Sequence, residues 1–182
     1  MTNKMSLILV KKTGHVLGVV TRESDPEGPL DPAGVAGEEL LVRYAGDDPT
    51  VATFKDAQFF VPASELSVEV KDFDPVVVTR PREFCLNANK DVVGTAGTVT
   101  VSNPASSNTQ IKLDLGANVI AKTPVWLQVS PAVDPTSKQV RQGEIDVGQK
   151  EVDLDVLPLD PGDHYVLAFA AGRQLRVHKL TI

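Results

Sequence analysis

The chain has 182 residues, 42% of them hydrophobic and 23% charged, enough apolar material for one large core or two small ones and too much for a disordered chain. A net charge of -6 and a pI near 5.0 argue against nucleic acid as a partner, since phosphate binding draws on clustered Lys and Arg. Cys85 is the single cysteine, so no intrachain disulfide can form and the core alone must hold the fold.

The N-terminal Leu7–Val10 run after Lys4 is too short for the apolar core of a signal peptide, and no segment approaches the ~18 apolar residues of a membrane span. Cytoplasmic synthesis and retention without a signal peptide are expected, with no membrane partner; a particle released by lysis would also need no signal. Residues 1–73 read as a first domain, with strands at Met5–Lys11, His15–Arg22, Glu39–Tyr44, Thr50–Phe54 and Ser67–Lys71, and with Thr13-Gly14 closing the first hairpin. Between them, Glu23–Gly37 is a long loop rich in Pro and Gly, of the kind that is either mobile or a contact element. The stretch Phe60-Val61-Pro62-Ala63-Ser64-Glu65-Leu66 before an alternating strand is similar to the 3₁₀ turn before the last strand of SH3-like barrels. That resemblance implies a small β-barrel.

In Leu7-Ile8-Leu9-Val10 and Val16-Leu17-Gly18-Val19-Val20 both alternation phases are apolar, so both faces of the hairpin need cover. A small barrel has one interior and covers one face. The other requires the second domain or another chain, which makes Ile8, Val10, Leu17 and Val19 candidate interaction residues for self-association or for other protein subunits.

Residues 74–83 form a connector with Asp-Pro and Arg-Pro steps, expected to be semi-extended. Six prolines follow aspartate along the chain, at Asp25, Asp31, Asp48, Asp74, Asp134 and Asp160, and each pair marks a turn. No long stretch keeps a 3.6-residue period, so helix is limited to a turn or two. Residues 84–182 offer seven or eight short strands, among them the alternating Ile111–Leu115 and Val152–Val156, the pattern of a β-sandwich. Leu157-Pro158-Leu159-Asp160-Pro161-Gly162-Asp163-His164-Tyr165-Val166-Leu167 resembles the tyrosine corner of immunoglobulin-like and fibronectin type III domains. The resemblance implies an immunoglobulin-like sandwich in which Tyr165 is a structural anchor bonding through its hydroxyl. Trp126 stands on the opposite phase from Val125, Leu127 and Val129. If both faces of that strand are covered it is core; if one is, it is an exposed aromatic suited to a sugar or a protein.

Chemistry is sparse. His15, His164 and His178 are the available bases, and no Gly-x-Ser-x-Gly elbow accompanies them; Cys85 lies between Phe84 and Leu86, the usual setting of a buried structural thiol. One Cys and three scattered His supply no zinc spacing. Asp153, Asp155, Asp160 and Asp163 could in principle gather calcium, but Asp153 and Asp155 are the polar phase of a strand and no calcium-loop pattern is present. Gly94-Thr95-Ala96-Gly97-Thr98 lacks the Lys and helix of a phosphate loop and reads as a strand connection. Arg173, Arg176, His178 and Lys179 give the last strand a basic row of the kind that deters edge pairing. The sequence therefore predicts no catalytic residue, cofactor or metal. It predicts a non-enzymatic structural or interaction protein, a subunit of an assembly such as a phage or phage-tail-like particle. The alternative is a binding module for carbohydrate or protein that uses Trp126 and loops such as 102–110.

Overall fold

A computed structural model describes residues 4–21, 30–44, 57–104 and 107–182 of the chain, and the class is all-β. In the first half the strands are β1 (Lys4–Val10), β2 (Val16–Thr21), β3 (Glu39–Tyr44), β4 (Ala57–Pro62) and β5 (Leu66–Asp72). The expected strand at 50–54 lies outside the described residues, as do residues 23–29 of the long loop. β4 begins before the Phe60–Leu66 stretch, which divides into the end of that strand, a 3₁₀ turn at Ala63–Glu65 and the start of β5. Strand β1 pairs antiparallel with β2 on one side and β5 on the other, while β3 and β4 form a separate ladder. Among the described residues helix is limited to α1 (Pro32–Ala36), α2 (Pro75–Thr79) and short 3₁₀ turns, among them Ala63–Glu65 and Pro81–Glu83. Both α-helices start at an Asp-Pro pair, where the carboxylates of Asp31 and Asp74 accept backbone N–H groups and proline presets the first helical φ. The connector expected to be semi-extended is thus helical: α2 and the 3₁₀ turn Pro81–Glu83 fill it. The Asp-Pro signal marked the spot, but it served as a helix start.

After the connector come β6 (Phe84–Leu86), β7 (Val92–Gly94), β8 (Thr100–Ser102), β9 (Gln110–Asp114), β10 (Thr123–Pro131), β11 (Gln139–Ile145), β12 (Glu151–Asp155), β13 (Asp163–Ala170) and β14 (Arg176–Thr181). A four-stranded sheet in the order β11-β10-β13-β14 and a three-stranded sheet in the order β12-β9-β8 enclose one core. Val125, Leu127 and Val129 of β10 and Val166 of β13 meet Ile111 and Leu113 of β9 there. This is one phase of each strand, as alternation requires.

The other phase of β10 and β13 is buried as well. Trp126, Leu167 and Phe169 belong to a second core shared with Ile8, Val10, Leu17, Phe59, Val61 and Leu66 of the first half. The remaining phase of the hairpin, Met5, Leu7, Leu9 and Val16, lies under Val77 of α2, with Phe84, Leu86 and Val92 of the β6–β7 hairpin packed alongside. Both apolar phases of the first hairpin are therefore covered by the chain itself. One cover is the four-stranded sheet together with β4. The other is the connector and the hairpin that follows it. Each fully buried side chain of this kind contributes ~1.5 to 3 kcal/mol by leaving water, so the seam between the two halves is part of the core.

Candidate functional site

The seam carries polar anchors as well as apolar cover. Trp126 is 0% exposed, and its indole Nε1 donates to Oε2 of Glu65 at 2.9 Å; Gln142 Nε2 donates to the same oxygen at 2.5 Å. Glu65 lies in the 3₁₀ turn before β5, so this one carboxylate ties the first half to two strands of the four-stranded sheet. Gln128 shares the Trp126 phase, and with its amide oriented to suit the Phe60 backbone it donates to the Phe60 carbonyl at 3.2 Å and accepts from the Phe60 N–H at 3.3 Å. A side chain thereby takes the place of a neighbouring strand for β4. Trp126 is core, and the exposed-aromatic alternative is not realised. Tyr165 stands on the same phase, packed against the shared core and not inside the two-sheet core. Ile8, Val10 and Leu17 are buried by the chain itself, and Val19 is half-buried against the Met5 cluster, so these four side chains do not form an open surface.

His15 is deeply enclosed for a titratable group. It follows the turn after β1, where its Nδ1 faces Thr13 Oγ1 at 3.0 Å, its Nε2 donates to the Arg173 carbonyl at 2.6 Å, and its ring lies 4.9 Å from that of Phe169. Burial lowers its pKa to about 4, against the smaller upward pull of the carbonyl. Both ring nitrogens are engaged, Nδ1 within the first turn and Nε2 in holding the loop after β13 to it. Across an isolated bridge from His15 sits Cys85, buried, its thiol pKa raised by burial and partly offset by a hydrogen bond from the Gly172 backbone. A thiol kept protonated in this way is a poor nucleophile. Gly14 permits the approach: it has φ +72, and a Cβ there would stand 2.8 Å from the Leu86 carbonyl oxygen.

Above this buried layer the surface opens into a cleft of about 520 Å³ where the turn after β1, strand β5, the β6–β7 hairpin and the start of β10 meet. Its floor is apolar, with Leu86, Val93 and Pro124, while Lys11, Lys12, Lys90 and Lys122 stand around it with Glu69. Lys12 pairs with Glu144 at 3.0 Å, Lys90 with Glu69 at 2.8 Å, and Lys122 with Asp146 at 3.3 Å. Lys11 Nζ donates to the Ser64 carbonyl. Beside Lys122, Ile120 is 97% exposed, and Val147 on the β11–β12 turn is 59% exposed. The two loops are joined by hydrogen bonds from Val119 N–H to the Gln149 carbonyl and from Gly148 N–H to the Val119 carbonyl. Val119 is thus tucked in, and its neighbour Ile120 is held out in water.

The other sequence candidates lie apart. Asp153, Asp155, Asp160 and Asp163 are exposed. Asp155 accepts from Gln110, and Asp163 from Lys179 and Thr181; the Lys179 bond is the main reason the Asp163 pKa is lowered. No group of three or more metal-ligating side chains gathers among the described residues. The 94–98 segment is a strand connection, with Ala96 N–H bonded to the Gly172 carbonyl and Gln174 N–H to that of Gly97. β14 is the outer strand of its sheet, and His178 Nε2 donates to the Val99 carbonyl at 3.0 Å, with burial lowering its pKa. His164 Nδ1 is 3.3 Å from the Gly162 carbonyl. Residues 105 and 106 of the 102–110 loop lie outside the described residues. Among the described residues, no helix is long and apolar enough to cross a membrane.

Sequence reasoning missed Glu65, Gln128, Gln142 and the cleft lysines. Gln128 had a signal, a polar residue inside an otherwise apolar strand. The lysines had none, because Lys11 and Lys122 come together only through the fold. No protein-family model and no curated protein sequence matches this chain.

Proposed function

We propose that the protein is a non-enzymatic interaction protein that works as a subunit of a larger protein assembly. On this reading the first half is a small barrel and the second an immunoglobulin-like sandwich, fused through one core so that the pair presents a fixed surface. The observation that carries it is the β9–β10 corner, where Ile120 stands almost wholly in water on a hydrogen-bonded loop beside Val147 and the lysine-rimmed cleft. An apolar side chain held out on an ordered loop gains free energy when another surface covers it. The non-enzymatic part is supported by the ring contacts of His15, His164 and His178, all of which reach backbone carbonyls of the chain's own loops.

The first setting in which to seek the assembly is a phage or phage-tail-like particle. Tagged chain is purified from its native source and examined by light scattering and for stoichiometric protein partners, alongside Ile120→Glu. Assembly or a partner that is lost in Ile120→Glu supports the proposal. A monomer at all concentrations that brings down nothing removes it. The carbohydrate-binding alternative has lost its aromatic platform, since Trp126 is buried.

A further inference from the structure

The cleft also suggests the chemistry of the partner, an inference that rests on the interaction reading above. Its lining carries four lysines and one glutamate, and with Glu144 and Asp146, the carboxylates that pair with Lys12 and Lys122 from beside it, the local balance is still positive, by one, in a chain whose total is -6. These lysines stand on different elements: Lys11 and Lys12 after β1, Lys90 in the β6–β7 turn and Lys122 before β10. Between them the floor is aliphatic, and its Leu86, Val93 and Pro124 are half-exposed. Nothing here resembles a phosphate cradle: no arginine fork is present among the lining residues, and the ammonium groups ring a hydrophobic strip. Two of the cations are readily re-partnered, because the side chains of Lys90 and Lys122 are 68% and 66% exposed and exposed ion pairs are weak. Lys11 meets only a backbone carbonyl in its hydrogen bond, which leaves its charge without a carboxylate there.

We propose that this cleft receives an acidic, aliphatic stretch of a partner polypeptide. Its carboxylates meet Lys11, Lys12, Lys90 and Lys122 while its aliphatic side chains cover Leu86, Val93 and Pro124. Lys11 and the weakly held Lys90 and Lys122 select the acidic residues, and the apolar floor selects a polypeptide over a bare anion. The excess negative charge elsewhere on the chain repels the same segment from other faces.

The test uses the full chain, ¹⁵N-labelled, titrated with the capped peptide Glu-Leu-Glu-Glu-Ala-Glu-Leu-Glu, its Gln-for-Glu analogue, and tripolyphosphate. Amide shifts gathered at residues 11–14, 87–93 and 122 are expected for the acidic peptide, weakening as salt rises. The double variant Lys11→Glu/Lys122→Glu should bind about tenfold more weakly or worse, and Lys90→Glu, at an exposed turn, serves as the second variant if the double one folds poorly. Shifts elsewhere, equal binding of the Gln analogue, indifference to charge reversal, or binding of tripolyphosphate alone would overturn the assignment. Co-purification with wild-type and charge-reversed chains separates the two readings. A partner retained by the reversed chain overturns the cleft and leaves assembly standing. A wild-type chain that retains nothing counts against assembly, and the peptide titration then decides the cleft by itself.

Discussion

Acid should weaken this fold well before its carboxylates are protonated, and His15 is the reason. In the unfolded chain the imidazole titrates near 6.5, whereas burial beside Phe169 brings its pKa to about 4 in the fold, outweighing the upward pull of the Arg173 carbonyl. The sign follows from which state takes the proton. Above 6.5 both states are neutral, and the stabilisation from the buried neutral ring is complete. As pH falls from 6.5 toward 4 the unfolded chain binds a proton that the folded chain refuses, so stability drops; below 4 both bind it and the loss levels off. For a shift of this size, linkage gives a loss of about 2 kcal/mol by pH 5 and about 3 kcal/mol by pH 4. Trp126 is the only tryptophan and is fully buried, so urea unfolding followed by its fluorescence at pH 7, 6 and 5 reads the effect directly. His178, whose pKa is also lowered by burial, adds in the same direction and is separated by repeating the series in His178→Gln. An imidazole resonance of His15 that titrates near 6.5 in the folded protein would refute the reasoning, as would an undiminished midpoint at pH 5 in the His178→Gln background.

Glu65→Ala leaves the Trp126 N–H and the Gln142 amide without their acceptor and should cost about 1 to 3 kcal/mol, the range for a buried donor left unpaired, with a changed tryptophan emission. Gly143→Ala places a Cβ 2.6 Å from Cδ2 of Leu154, so overpacking of about 1 to 3 kcal/mol is expected; an unchanged melting temperature would show that Leu154 moves aside freely. Ile120→Ser should leave stability within about 0.5 kcal/mol of the parent, because the side chain contacts mainly water, while reducing any self-association or partner retention. A fragment of residues 84–182 leaves Trp126, Leu167, Phe169 and Val177 bare on one sheet face and should bind a hydrophobic dye or aggregate where the intact chain does not. A well-behaved fragment with buried-type tryptophan emission would mean that the seam is an ordinary domain contact.

The strands were legible because their alternation is local. Glu39–Tyr44 coincides with β3, and the alternating runs at Ile111–Leu115, Val125–Val129 and Val152–Val156 match β9, β10 and β12 within a residue or a few. Local chemistry also marked the turn at Thr13-Gly14 and the 3₁₀ turn at Ala63–Glu65. The connector was misread because Asp-Pro starts a turn and a helix by the same device, a carboxylate on free N–H groups ahead of a preset φ. Cys85, expected on a strand of the second unit, bridges His15 in the first, an arrangement that no pattern within residues 84–94 could reveal.

Period two tells which side chains must leave water but says nothing of what covers them. The two-phase runs at Leu7–Val10 and Val125–Val129 are a matched pair: each strand has an apolar face that its own sheet partners cannot bury, and the fold lays Ile8 and Val10 into the same core as Trp126. Read one strand at a time, each surplus face resembles a docking site. Read together, they account for each other. The inference from a two-phase strand to a second protein therefore holds only after every other two-phase strand in the chain has been offered as the cover. Exposed apolar residues on loops escape this pairing, because Ile120 and Val147 belong to no strand phase. They and the lysines around the neighbouring cleft are where the search for a partner should start.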